Sequence, residues 1–199
     1  MKIFAIINNY ASEAESIFGG NEPDWYEMPD SSILRSGNPF FVPDFADEFK
    51  VYPSVAYRIG RLGKSISPRF AYRYIDGYTL AGAVIAPGLL RGLRNGQRPW
   101  TRAVSFDRSC LLGNLEPIDT LKKNEVFRFA CGGHEAEYSI GALLRGVDEI
   151  ISMISADNTL KNGDLILAGL SPEGLSLRPD TRLTASKISE TNIIDINIR

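Results

Sequence analysis

The run FKVYPSVAYRI, residues 49–59, constrains the fold more than any other stretch. Aromatic, branched and polar groups alternate along it, which is the period of a β-strand. Pro53 interrupts the run without an N–H to donate, so the strand is expected at a sheet edge or with a bulge at that residue. A second, mostly apolar strand, IDGYTLAGAVIA, follows at residues 75–86. Between them lies GRLGKS, residues 60–65, whose glycines and lysine suggest a phosphate loop. The spacing contradicts that: such a loop reads G-x-x-x-x-G-K-[ST], and here only Arg61 and Leu62 separate the glycines. A turn is the expectation.

The rest of the chain divides into short pieces. KIFAII, residues 2–7, suits a buried strand, and NYASEAESIF carries Ala11, Ala14, Ile17 and Phe18 at short-helix spacing before Gly19-Gly20 ends it. Residues 21–48 are rich in Pro, Asp, Asn, Ser and Gly, which predicts extended pieces joined by turns. Ser67 and Pro68 suit a helix cap and first position, and Pro87 opens a helix through about Leu93. Gly132-Gly133 predicts a hairpin turn within RFACGGHEAEY. In GVDEIISMISADNTL, Val147, Ile150, Ile151 and Ile154 mark the core face of a helix. DLILAG, RLTASKI and NIIDINIR read as further strands. Strands and helices do not alternate regularly enough for a parallel sheet, so a single strand-rich α+β domain over residues 1–199 is expected.

Composition narrows the function classes. With 44% hydrophobic residues among 199, the chain can bury a substantial core without metals or disulfides. A net charge of −2 gives no nucleic-acid footprint. Arg91, Arg94, Arg98 and Arg102 form the one basic cluster, read either as a solvated helix face or as a patch for acidic ligands. No run reaches the ~20 apolar residues of a membrane helix, and IFAII falls short of a signal-peptide core of ~7–15. A cytoplasmic protein without membrane partners is the expectation. Cys131 and the single histidine, His134, could be imagined as a dyad or half a zinc site, but no second Cys/His pair exists to complete a tetrahedral set. Asp44, Asp47, Glu48, Asp148 and Glu149 lie in polar surroundings and read as surface acids.

In order along the chain, PDSSILRSGNPFFVPDFADEF, YRIGRLGKSISPRFAYRYIDGYTL, RPWTRAVSFDRSCLLG, DEIISMISADNTLKNGDLILAG and IIDINI resemble the fumarylacetoacetate hydrolase family, and in particular its small bacterial members, including 2-hydroxyhepta-2,4-diene-1,7-dioate isomerase-like proteins. The resemblance implies a mixed β-roll with stacked sheets, a homodimer, and Mg- or Mn-dependent chemistry on small oxo-acids: C–C hydrolysis, decarboxylation or keto–enol isomerisation.

The same resemblance locates the expected site and shows it replaced. The positions of two metal-binding glutamates carry Tyr52 and Ser54, and that of the metal-binding aspartate carries Ala83. Magnesium prefers carboxylates plus water, which these side chains are not. The family's lid histidine falls at Glu13 and the following glutamate at Ser16; its active-site lysine falls at Val104. An Arg-Asp pair and a glutamine match Pro87, Gly88 and Leu90, a threonine matches Leu170, and a further lysine matches Met28. Three readings follow. The leading one is a catalytically degenerate, metal-free dimer with a small-molecule pocket lined by Tyr10, Tyr52, Ser54, Tyr78, Ala83, Val104 and Leu170. The second is a metal-independent hydrolase, isomerase or tautomerase of oxo-acids, with Glu13 as general base and Tyr52 or Tyr78 polarising a keto oxygen. The third is a dimeric interaction protein whose pocket is filled by its own side chains.

Overall fold

The computed structural model describes residues 1–11, 16–187 and 192–199. Its first half contains β1 (Lys2–Ile7), β2 (Asp24–Pro29), β3 (Ile33–Arg35), β4 (Lys50–Ile59), α1 (Pro68–Ala71), β5 (Ile75–Ile85), α2 (Pro87–Asn95) and α3 (Thr101–Val104). The second half adds β6 (Cys110–Leu112), β7 (Val126–Cys131), β8 (His134–Ser139), α4 (Val147–Asp157), β9 (Leu165–Leu167), β10 (Leu175–Ser176), β11 (Arg182–Lys187) and β12 (Ile194–Asn197). The strand-rich α+β class expected from the sequence is the one observed. Glu13 and its neighbours at 12–15 lie outside the described residues, and the described flanks of the short helix expected there, 9–11 and 16–18, are not helical.

Two sheets carry the architecture. The larger runs β2-β1-β9-β4-β5-β6-β3, with β10 also paired to β4; the smaller runs β12-β11-β7-β8. Because side chains alternate across a strand, the large sheet feeds two separate apolar layers. Val51, Val55, Tyr57 and Ile59 of β4, with Tyr78, Leu80 and Val84 of β5, face the small sheet and meet Phe127, Phe129, Leu183, Ile194 and Ile196 there. Tyr52 and Ala56, with Ala81, Ala83 and Ile85, face the other way, against Leu90 and Leu93 of α2, Ala103 and Val104 of α3, and Met28. Ile150, Ile151 and Ile154 of α4 join the first layer as their spacing predicts, and Val147 packs against it only partly buried.

Pro53 corrects one expectation. β4 is an interior strand, paired with β5 along one side and with β9 and β10 along the other, and its register shift lies at Arg58/Ile59. The carbonyl of Pro53 accepts from the Ser171 N–H at 2.8 Å. Backbone N and C=O of one strand residue point the same way, so the missing N–H faces the gap between β9 and β10 and no ladder bond is lost. A second correction concerns Ser67, which precedes α1 but makes no side-chain capping bond. Helix α2 extends past Leu93 to Asn95.

The 60–65 segment is a turn, as expected. The N–H groups of Gly60, Gly63 and Ser65 donate to the carbonyls of Tyr74, Leu160 and Ser155 at 2.7, 3.0 and 2.7 Å. Amides already engaged with protein carbonyls cannot cradle a phosphate. Gly132 and Gly133 form the β7–β8 hairpin turn with φ of 57° and 83°, the left-handed pair of a tight two-residue connection. After β3 the chain leaves the large sheet and zips along the end of the small one: Phe40 and Val42 N–H groups donate to Asn197 and Arg199, and Arg199 N–H returns to Phe40. Among the described residues no helix is long and apolar enough to cross a membrane.

Candidate functional site

The positions singled out in β4 and β5 come together as the strand register requires. Tyr52 lies opposite Ala83, and Ser54 opposite Ala81. Tyr52 is 3% exposed, and Ser54, Ala83 and Val104 are fully buried. The Ser54 hydroxyl donates to the neighbouring Val55 carbonyl at 3.3 Å. Burial pushes the Tyr52 phenol up to about 12, the Glu48 carboxylate adds to the rise, and the Arg91 guanidinium opposes it. At neutral pH Tyr52 is therefore a neutral hydrogen-bonding group, with no phenolate to offer a cation.

Tyr52, Tyr10, Leu170, Ser171 and Ser16 line a cavity of about 50 Å³. That is room for one or two waters, whose share of liquid volume is about 30 Å³ each. Tyr10 is fixed there by a tilted ring contact with Tyr138, centroids 5.1 Å apart, and by accepting the Ser139 N–H at 2.9 Å. The sequence reading missed Tyr26, whose hydroxyl is buried and has no hydrogen-bond partner among the described residues. Its ring packs against Phe18 and Trp100 at 5.7 and 5.8 Å. An orphaned buried hydroxyl costs about 1–3 kcal/mol. Tyr26→Phe is accordingly expected to leave stability unchanged or raise it by about 1 kcal/mol in urea unfolding; a loss would mean the hydroxyl has a partner.

Tyr78 does not belong with the others. Tyr78 and Ala83 differ by an odd number of residues along β5, so alternation sends them to opposite faces, and Tyr78 sits in the layer shared with the small sheet. Its hydroxyl donates to Glu116 Oε2 at 2.7 Å, and Lys187 Nζ reaches the same oxygen at 2.7 Å. Burial alone would raise the Glu116 carboxyl, but the Lys187 and Tyr78 hydrogen bonds and the ammonium charge hold it below the usual range. A carboxylate held down in the fold contributes its stability above the unfolded value and loses it as pH falls through the folded one. Glu116→Gln is therefore expected to cost about 1 kcal/mol at neutral pH, water screening a pair whose carboxylate is 27% exposed. The difference from the parent should close as the pH of urea titrations drops below about 4.

The cysteine–histidine reading finds no support. Cys131 is buried with Sγ 3.6 Å from Thr181 Oγ1, while His134 is exposed. Burial pushes the Cys110 thiol up to about 12, away from the thiolate needed for nucleophilic or metal chemistry. Among the described residues no group of three or more His, Cys, Asp or Glu is placed to hold a metal ion.

The sequence model of the fumarylacetoacetate (FAA) hydrolase C-terminal domain matches residues 2–197. The chain belongs to the fumarylacetoacetate hydrolase family. A mitochondrial oxaloacetate decarboxylase from Dictyostelium discoideum is 29% identical over 182 residues, covering 87% of this chain and 82% of that protein. A mitochondrial oxaloacetate tautomerase from Rattus norvegicus is 25% identical over 178 residues, covering 87% and 80%. The crystal structure of a fumarylpyruvate hydrolase from Pseudomonas aeruginosa, in complex with Mn²⁺ and pyruvate, superimposes with a TM-score of 0.87 at 19% identity. That superposition covers 100% of this chain and 89% of the other, and it establishes a shared fold.

Within this fumarylacetoacetate hydrolase fold, the donor set at the expected metal position does not fit a hard divalent cation. A neutral phenol, a hydroxyl bonded to its own main chain and a methyl group stand where oxygen anions would be required. The orphaned Tyr26 hydroxyl is a single neutral oxygen and does not change that balance.

Proposed function

We propose that this chain is a fumarylacetoacetate hydrolase family member that has given up divalent-metal catalysis between β4 and β5 and keeps the fold as a homodimer. One observation carries the reading: Tyr52 and Ala83 face each other across β4 and β5 in a buried layer, beside a cavity of only about 50 Å³. Metal-assisted chemistry needs a cation held by ligands that leave an open position for substrate. Here the layer holds neither carboxylates nor the room. The family's other expected groups are replaced in the same layer, with Val104 and Leu170 buried as packing residues.

The test is a Mn²⁺ titration of the full chain, followed by calorimetry and by the electron paramagnetic resonance of free ion. No saturable binding is expected, and oxaloacetate turnover should not respond to Mn²⁺ or EDTA. A stoichiometric Mn²⁺ site, or oxaloacetate decarboxylation restored by Mn²⁺, would overturn the reading.

A further inference from the structure

Arg91 and Arg94 match none of the positions at which the family's site groups are expected, and the Tyr52 cavity does not include them. They follow Pro87 at helical spacing on α2. Pro87, Arg91, Arg94 and Asn95 share a flank of that helix, while Leu90 and Leu93 turn into the layer below. The flank and residues Ser16 and Ile17 line a cavity of about 450 Å³. Small-molecule sites run from about 300 to 1,000 Å³, so this space can take a ligand where the Tyr52 cavity cannot. The two spaces share Ser16 and Ile17 as a common wall.

The two guanidinium groups differ in their state. Arg94 is held: its Nη1 donates to the Ile17 carbonyl at 2.9 Å. The Arg94 head lies against Gly19, where a Cβ would stand 2.7 Å from Nη2, so the absence of a side chain at that position (φ +63°) makes room for it. Arg91 has no hydrogen bond or ion pair among the described residues, and the one charge effect traced to it falls on Tyr52. A pre-positioned guanidinium beside one with no partner among the described residues, on the wall of a ligand-sized cavity, matches the fork geometry that recognises compact oxyanions.

We infer that Arg91 and Arg94 bind a compact oxyanion in this cavity, either the carboxylate of a small organic acid or inorganic phosphate. This rests on the metal-free reading above: positive charge comes from two guanidinium groups on α2 in place of a cation between β4 and β5.

Calorimetric titration of the full chain in EDTA, with malonate and separately with inorganic phosphate, tests it. Saturable binding of at least one anion is expected, and whichever binds identifies the source. Arg91→Gln should weaken it by about tenfold or more while leaving the circular dichroism spectrum unchanged, since Arg91 makes no hydrogen bond or ion pair among the described residues. Arg91→Lys should recover only part of the affinity, because an ammonium lacks the fork. Arg98→Gln removes the same charge from a residue lining a different cavity, beside Asp47 and Glu48, and should change nothing. Absence of saturable binding, or equal weakening by Arg91→Gln and Arg98→Gln, overturns the inference. Anion binding that requires Mn²⁺ overturns both this and the metal-free reading; neither anion nor Mn²⁺ binding overturns this one alone.

Discussion

Ala83→Asp is expected to destabilise the fold by about 3–5 kcal/mol at neutral pH. Ala83 is fully buried in the middle of β5, opposite Tyr52 on one side and Cys110 on the other. A carboxylate placed there meets the Tyr52 phenol, the Cys110 thiol and the methyl groups of the same buried apolar layer. Burial would raise its pKa, so the folded state would bind a proton more tightly than the unfolded one. Stability then falls as pH rises through the ordinary aspartate value of about 4, and the loss should grow between pH 4 and 7 in urea titrations. An Ala83→Asp variant as stable as the parent at pH 7 would show that this layer is not the dry apolar environment described. The combined variant Tyr52→Glu, Ser54→Glu, Ala83→Asp extends the experiment. Its lost stability should be recovered in part by Mn²⁺, because a ligand that binds only the folded state stabilises it by mass action. The parent should show no such response.

Phe129→Ala is expected to cost a similar 3–5 kcal/mol by a different route. Phe129 is fully exposed to the inter-sheet layer and closed to solvent, between Ala185 of β11 and Ala136 of β8. Small residues on both neighbouring strands leave its ring as the main filler at that level of the small sheet. Deleting it removes apolar contact and leaves a cavity that two flanking strands cannot easily close. Phe70, with 41% of its surface exposed on α1, is the control, and Phe70→Ala should cost about 0.5 kcal/mol or less. Both would be measured by equilibrium urea unfolding. A Phe129 loss below about 1 kcal/mol would mean that the two sheets do not share one core.

Much of this was legible because the chain repeats local signals whose physics is short-range. Alternation in residues 49–59, the Gly132-Gly133 pair and the isoleucines of α4 each depend on neighbours a few positions away. That Tyr52, Ser54 and Ala83 come together was legible too, since matched residues on either side set them on two adjacent strands. Pro53 was misjudged because the sequence shows that a donor is missing but not which way it would have pointed. Tyr78 was misplaced for a related reason: proximity along β5 was read as proximity in space, and alternation separates it from Ala83. Arg91 was visible only as one member of a basic cluster. What distinguishes it from Arg94 is the Ile17 carbonyl, brought in from 77 positions away by the return of the chain.

The placement of β1 has a kinetic side. Its apolar residues are closed to solvent on both faces, and its two neighbours in the sheet arrive at very different times. β2 follows within a few turns of chain, but β9 and the Asp164 carboxylate that accepts the Lys2 N–H come 162 residues later. A hairpin of β1 and β2 emerging during synthesis therefore presents one unpaired apolar edge through most of translation. Loop closure over such separations is slow, and open strand edges invite association while they last. Yield in the cell should then depend on how quickly residues 165–167 reach that edge, and on what shields it before they do.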